Sequence, residues 1–191
     1  MEDILLYHTG FQEIREPDLR IGRRNADFGQ GFYLSADREF SRRWARERRG
    51  ETTWLNSYAL SPEGLRIKRF DRDEAWYDYI FRNRAGYDDG LAEWDVIVGP
   101  IANDTIYDTW GISTSGLLSR EQSLQLLMLG PVYEQTVIKT PRAAEQLRFL
   151  CAEVIPGEAI AQFRETVRRE EDAYQRQVAE VFQAILGEKS E

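Results

Sequence analysis

The residues best suited to chemistry are concentrated around Asp27-Phe28-Gly29-Gln30-Gly31-Phe32-Tyr33-Leu34-Ser35. Gly29 and Gly31, one residue apart, leave backbone exposed where a Cβ would block the approach of a ligand. Phe32 and Tyr33 follow at once, an aromatic ending that an ordinary turn does not need. The stretch reads as one wall of a small-molecule pocket. His8, the single histidine, follows an apolar run and is suited to anchoring a hydroxyl; taken alone, such a residue is more often a structural hydrogen-bonding group. Arg23 and Arg24 lie near the glycine turn, where they either hold a pyrophosphate or form a solvated loop. Asn103 and Asp104 are either polar contacts of a site or a helix cap. Of the neighbours Glu134 and Gln135, only one can enter a site, because successive strand residues point to opposite faces.

These residues need elements to position them. Ile4-Leu5-Leu6-Tyr7 reads as a buried strand ending at His8-Thr9-Gly10, and Phe32 to Leu34 as a second, short one. Ser35 or Asp37 caps a helix with Phe40, Trp44 and Ala45 as its apolar stripe. Thr52 to Leu60 and Leu65 to Phe70 read as strands, followed by a helix from Glu74 to about Arg84. Trp94 to Pro100 is the clearest buried strand. Ser119 to Leu129 is a helix, with Ser119 and Gln122 fitting a capping box. Tyr133 to Lys139 is a further strand. Thr140-Pro141 starts a helix through Ala144, Leu147 and Leu150, ahead of strand-like Cys151 to Ile155. From Gly157 onward, Ile160, Phe163, Val167, Tyr174, Val178, Val181 and Ile185 form a narrow apolar seam interrupted at Glu170-Glu171. That helix either packs back on the domain or pairs with a second copy or another protein. Closely spaced strands with few crossover helices predict an α+β fold of mainly antiparallel strands, residues 1–156 as one domain and 157–191 as a helical extension.

Composition bounds the function. Hydrophobic residues at 42% support a buried core, and a net charge of -8 disfavours general affinity for nucleic-acid backbones. One cysteine excludes an internal disulfide and a cysteine-rich zinc site, so no metal is expected. The acidic start Met1-Glu2-Asp3 is unlike a signal peptide, and no apolar run reaches membrane-spanning length; a cytoplasmic protein without a membrane partner is expected.

Taken in order, Leu6-Tyr7-His8-Thr9-Gly10, Asp27 to Tyr33, Asp95 to Asp104 and Tyr133-Glu134-Gln135 resemble a bacterial family of unknown-function domains placed in the ADP-ribosyltransferase superfamily. The resemblance spans roughly residues 4 to 155 and implies an ADP-ribosyltransferase-like split of strands surrounded by helices. It implies NAD+ as co-substrate and transfer of ADP-ribose to a protein or nucleic-acid acceptor. In the histidine–tyrosine–glutamate branch, His8 would hold a ribose hydroxyl, the Thr9 backbone the carboxamide, and Tyr33 the nicotinamide ring. Relatives often have glycine where Thr9 stands, so its bulk would narrow the nicotinamide slot. The late glutamate is matched by Gln135, which can hold a hydroxyl but cannot act as a general base. Asp104 is the candidate for a carboxylate from elsewhere. Gly10, Arg24, Phe28, Gly29, Gly31, Phe32 and Asn103 complete the implied nucleotide-binding set. Compact relatives imply a toxin or phage-defence effector with a neutralising partner, and the C-terminal helix offers a route to a homodimer. NAD+ hydrolysis and a catalytically silent nucleotide-binding module are the alternatives.

Overall fold

The computed structural model describes residues 2–102 and 118–188. The chain is α+β, built on two sheets. The first has the order β1-β3-β7 and is antiparallel throughout, with β1 Ile4–Gly10, β3 Trp54–Leu60 and β7 Leu147–Val154. The second has the order β2-β6-β5-β4, with β2 Phe32–Leu34, β6 Glu134–Ile138, β5 Val96–Pro100 and β4 Ile67–Arg69. Its pairs are antiparallel except β4 with β5, which are parallel.

The apolar run of β5 is explained by burial on both faces. Val96 and Val98 share a core with Leu6, Tyr58 and Leu60 of the first sheet, whereas Ile97 and Val137 share another with Trp76, Ile80, Leu126 and Leu127. The alternation follows the strand period of two. The second core is covered by α2 (Glu74–Arg84) and α3 (Arg120–Leu127). Trp76 Nε1 donates to the Pro100 carbonyl at 2.8 Å and fixes α2 to the end of β5.

Local signals account for most element starts. Asp37, rather than Ser35, caps α1 (Arg38–Arg43), its side chain accepting from Phe40 N–H. Ser35 Oγ instead accepts from Asp37 N–H and donates to the Glu134 carbonyl. The capping box of Ser119 and Gln122 forms at α3. One expected boundary is corrected. The helix starting at Thr140-Pro141 stops at Glu145 (α4, Pro141–Glu145), and Leu147 already belongs to β7, opposite Leu60. The spacing of Ala144, Leu147 and Leu150 suits a helix, but β3 is the central strand of its sheet and both edges need partners. Backbone pairing along β3 outweighs that local pattern.

The C-terminal helix α5 (Gly157–Glu188) packs back on the domain. Ile160, Tyr174, Val178 and Ile185 are buried, and Val181 and Phe182 pack against the core beneath α2 and α3. The seam read from the sequence is therefore covered by the chain itself. Among the described residues no helix is long and apolar enough to cross a membrane.

The docking of α5 has a steric key. Gly130, at φ +75°, follows α3, and a Cβ there would stand 2.7 Å from Tyr174 Cδ2. Gly130→Ala is expected to lower stability by about 1–3 kcal/mol in urea unfolding, combining left-handed strain with overpacking. A Tyr174→Ala background should recover part of that loss, because the two sites share one contact. Full additivity would show that α5 is not held at this point.

Candidate functional site

The site lies where the two sheets part. β1 and the segment after β2 meet at a single bridge, with Tyr7 N–H donating to the Ser35 carbonyl at 2.8 Å and Ser35 N–H to the Tyr7 carbonyl at 3.0 Å. Beyond it the backbones diverge, and an open cavity of about 1030 Å³ occupies the gap. His8, Tyr33, Gln135, Arg72, Glu170 and Tyr174 stand on its walls. Its volume is at the upper end of the range for small-molecule sites, about 300–1,000 Å³.

His8 spans the divergence. Its Nδ1 lies 2.8 Å from the Tyr33 carbonyl oxygen, which can only accept, so Nδ1 carries the proton. Burial pushes the imidazole below its ordinary pKa, against the opposing effect of that hydrogen bond. The ring is therefore neutral at pH 7, and Nε2 is a bare acceptor. Phe32 packs against the ring at 4.6 Å, and a Cβ on Gly10 would stand 3.2 Å from Nε2. Phe32 and Gly10 thus support the imidazole and do not line the cavity. Thr9 lines it, but its hydroxyl donates to the Ser41 carbonyl at 2.6 Å, holding the side chain against α1.

Tyr33 lines the cavity, and its side chain is held in a fixed position. Its hydroxyl donates to the Gly29 carbonyl at 2.7 Å and accepts from Phe28 N–H at 3.0 Å. Burial drives the phenol well above its ordinary pKa, so it stays protonated. Those bonds close the glycine loop onto its own tyrosine. Here the expected role of the glycines is corrected. A Cβ on Gly29, whose φ is +72°, would stand 2.7 Å from Asp89 and 2.9 Å from Lys139; one on Gly31 would stand 2.6 Å from the Ile138 carbonyl oxygen. The space is filled by protein, and neither glycine lines the cavity. Phe28 is fully buried in the core beside Phe70 and Tyr79. Lys139, almost wholly buried, donates to Asp89 at 2.6 Å and to the Phe28 carbonyl, tying the loop from below.

Beside Tyr33 lies a group that the sequence reading passed over. Asp27 is buried, and its Oδ1 accepts from Arg84 Nε at 2.7 Å and Nη2 at 2.5 Å. Its Oδ2 accepts from Ala102 N–H at 3.1 Å and from Gln135 Nε2 at 3.0 Å. Asn83 Nδ2 donates to the Asp27 backbone carbonyl. Between Glu134 and Gln135, it is Gln135 that is buried and faces this cavity; Glu134 is exposed and borders a smaller one. Asn103 and Asp104 lie outside the described residues.

Charge is divided across the walls. Arg23 lines the cavity and the exposed Arg24 does not. Arg72 donates to the carbonyls of Met128, Leu129 and Gly130 at the end of α3, and burial lowers its pKa. Opposite, Arg43 pairs with Glu170 at 2.8 Å and donates to Tyr133 Oη at 2.9 Å. Tyr133 stacks on Phe40 at 4.3 Å, and Trp44 meets Phe40 edge-on, so this wall is also aromatic. Among the described residues no cluster of histidine, cysteine or carboxylates could hold a metal ion.

Residues 4–149 match the family described as a protein of unknown function, DUF3990. The chain belongs to that family. No curated protein and no solved structure matches it. The family match contains His8, Asp27, Tyr33, Arg84 and Gln135 and ends before α5. Glu170, Glu171 and Tyr174 therefore come from outside the matched segment, although they line the same cavity. The seam's interruption at Glu170-Glu171 was the sequence signal for this, since it marks where the helix turns polar residues toward a cavity. For Asp27 the signal was an acid set between Ala26 and Phe28, an apolar setting that demands a partner.

His8 yields a pH prediction. Its folded pKa lies below the unfolded value near 6.5, so the unfolded chain binds more protons as pH falls through that value. Its contribution to stability is present above pH 6.5 and is lost progressively below it. His8→Asn should flatten this segment of the stability–pH curve, and nitrogen-15 NMR should show the neutral Nδ1–H tautomer at pH 7. A histidine that protonates near pH 6.5 in the folded chain would contradict the assignment.

Proposed function

We propose that this cavity binds NAD+ and cleaves its nicotinamide–ribose bond, transferring ADP-ribose to a macromolecular acceptor. The observation that carries the reading is the joint placement of His8, Tyr33 and Gln135 on one cavity at the parting of two sheets. Their resemblance to the histidine–tyrosine–glutamate pattern of ADP-ribosyltransferases supplies the substrate class.

The chemistry asks for a flat surface against the leaving ring, acceptors for sugar hydroxyls, and polarity toward positive charge developing on the ribose. The fixed ring of Tyr33 supplies the first. Neutral His8 Nε2 and the Gln135 amide supply hydroxyl partners, and Arg23 and Arg72 suit the pyrophosphate. Bond cleavage leaves the electron pair on nicotinamide, which departs neutral. The acceptor forms the new bond to the ribose carbon and loses its proton to a base. Gln135 cannot be that base. The carboxylates of Glu170 and Glu171 border the cavity, and Asp104 remains a candidate from the sequence.

A second reading is favoured by the amide at position 135: hydrolysis, with water as the acceptor. It asks less of a base that must also orient a macromolecule. One assay separates the two. Purified protein is incubated with NAD+ labelled in the adenylate part, with and without cell lysate. Nicotinamide release with label retained on macromolecules is expected; release with free ADP-ribose alone would assign hydrolysis. Tyr33→Ala should weaken NAD+ binding by about 10- to 100-fold, the scale of base–aromatic stacking. His8→Ala should slow nicotinamide release on the order of 100-fold. No release above that of the His8→Ala, Tyr33→Ala double variant, even with lysate, would overturn the enzymatic reading.

A further inference from the structure

The amide of Gln135 has two unlike ends, and one of them is committed. Nε2 lies 3.0 Å from Asp27 Oδ2, an acceptor that can receive a hydrogen bond and cannot give one while ionised. The contact therefore defines which end of the amide is nitrogen. Oε1 is then the polar end offered to the cavity that Gln135 lines. Asp27 is held in turn, since Arg84 approaches Oδ1 from α2 and Ala102 N–H approaches Oδ2 from the end of β5.

We infer that Asp27 is the positioning residue of this site, orienting Gln135 so that a fixed carbonyl acceptor faces the bound ribose. A glutamate at position 135 is disfavoured by the same contact while both carboxyls are ionised. It would place two carboxylate oxygens about 3 Å apart, with one guanidinium to offset both. Glutamine is thus the residue that Asp27 favours. Among the described residues, the charged and titratable groups around the pair are Arg84 from α2, Tyr33 from β2, Asp89, whose charge acts on the same phenol as Asp27, and Arg23 and His8 on the cavity walls. Arg84 alone pairs directly with the carboxylate among these, so a second carboxylate would meet an already satisfied guanidinium.

The role of the acceptor rests on the NAD+ reading above, whereas the pairing does not. The test is a charge swap with two readouts. In the first, melting temperature is measured against pH for wild type, Gln135→Glu and the double variant Asp27→Asn, Gln135→Glu. At pH 8 Gln135→Glu should melt about 4 °C or more below wild type. The gap should close toward pH 5 as one carboxyl protonates. The double variant restores a donor facing an acceptor at position 135 while leaving Ala102 N–H against the same nitrogen, so it should melt below wild type by a gap that varies less with pH than that of Gln135→Glu. In the second, calorimetry measures NAD+ affinity. In Asp27→Asn the new amide keeps its oxygen toward the Arg84 guanidinium and sets its nitrogen against Gln135 Nε2 and Ala102 N–H, which favours a flipped Gln135 amide that turns Nε2 to the cavity and should weaken binding about tenfold. The double variant, again presenting an oxygen, should recover most of that loss.

If Gln135→Glu melts like wild type from pH 5 to 8, the pairing is wrong, whatever NAD+ does. If the swap behaves as expected while wild type binds no NAD+, the pairing stands and the nucleotide reading falls. Equal NAD+ affinity in wild type and Asp27→Asn overturns the positioning role. Where Gln135→Glu fails to fold, wild-type NMR decides. One Gln135 side-chain amide proton should be hydrogen-bonded and slow to exchange, and Asp27→Asn should abolish that protection. A freely exchanging amide in wild type overturns the inference.

Discussion

A carboxylate withdrawn from water must be met by donors on every open side, and Asp27 is met by a helix, a strand end and a strand at once. Arg84 reaches it from α2, Ala102 from the exit of β5 and Gln135 from β6. Removing one partner from a buried ion pair typically costs about 3–5 kcal/mol, because the survivor keeps its desolvation penalty. None of these elements can therefore shift independently of the loop that carries Asp27. That loop ends in Tyr33, whose hydroxyl closes back on Gly29 and Phe28. The orientation of the tyrosine ring is in this way coupled to the Asp27–Arg84 ion pair.

The second constraint is topological. Two sheets share a core formed by residues such as Leu6, Tyr58, Val96 and Ile138, and among the described residues their backbones are bridged at Tyr7 and Ser35. Beyond that bridge the gap must be bordered by side chains, and His8 does this by donating to the Tyr33 carbonyl. His8 pairs with Asn56 of β3 through its backbone and spans the gap with its side chain. The same divergence leaves an open side that α5 borders through Glu170, Glu171 and Tyr174. The appended helix completes a cavity whose floor belongs to the family-matched segment.

Legibility from sequence followed the range of the interactions. The helix over Glu74–Arg84, the capping box at Ser119 and the buried strand β5 were readable because their causes lie within a few residues. So was the α+β class. The partners of Asp27 were not, because they stand 57, 75 and 108 residues away, and its apolar neighbours Ala26 and Phe28 call for a partner without naming one. The glycines were read as openings for a ligand, whereas the space beside them is taken by protein. Steric exclusion by Asp89, Lys139 and Ile138 gives the same residue type for the opposite reason. Likewise Leu147 and Leu150 carry helical spacing, but β3 needs a second neighbour, and a ladder partner is a tertiary demand.

The glutamine at position 135 changes meaning in this setting. Set beside the histidine–tyrosine–glutamate pattern on which the proposed function draws, position 135 has an amide in place of a carboxylate, which argues against transfer. In the fold, the negative charge of this corner is present one residue deeper, on Asp27, with the amide interposed between it and the cavity. A carboxylate facing the sugar would offset developing positive charge directly. A carbonyl polarised from behind by an amide–carboxylate hydrogen bond does so more weakly, yet it needs no counter-ion in the cavity and does not change protonation between pH 5 and 8. What such a site lacks is a base, and a base need not sit on the same strand. The cavity has a wall, α5, that lies outside the family-matched segment and brings two glutamates to it. Under the proposed function, ribose recognition would rest on the sheets and acceptor chemistry on α5, which lies outside the family-matched segment.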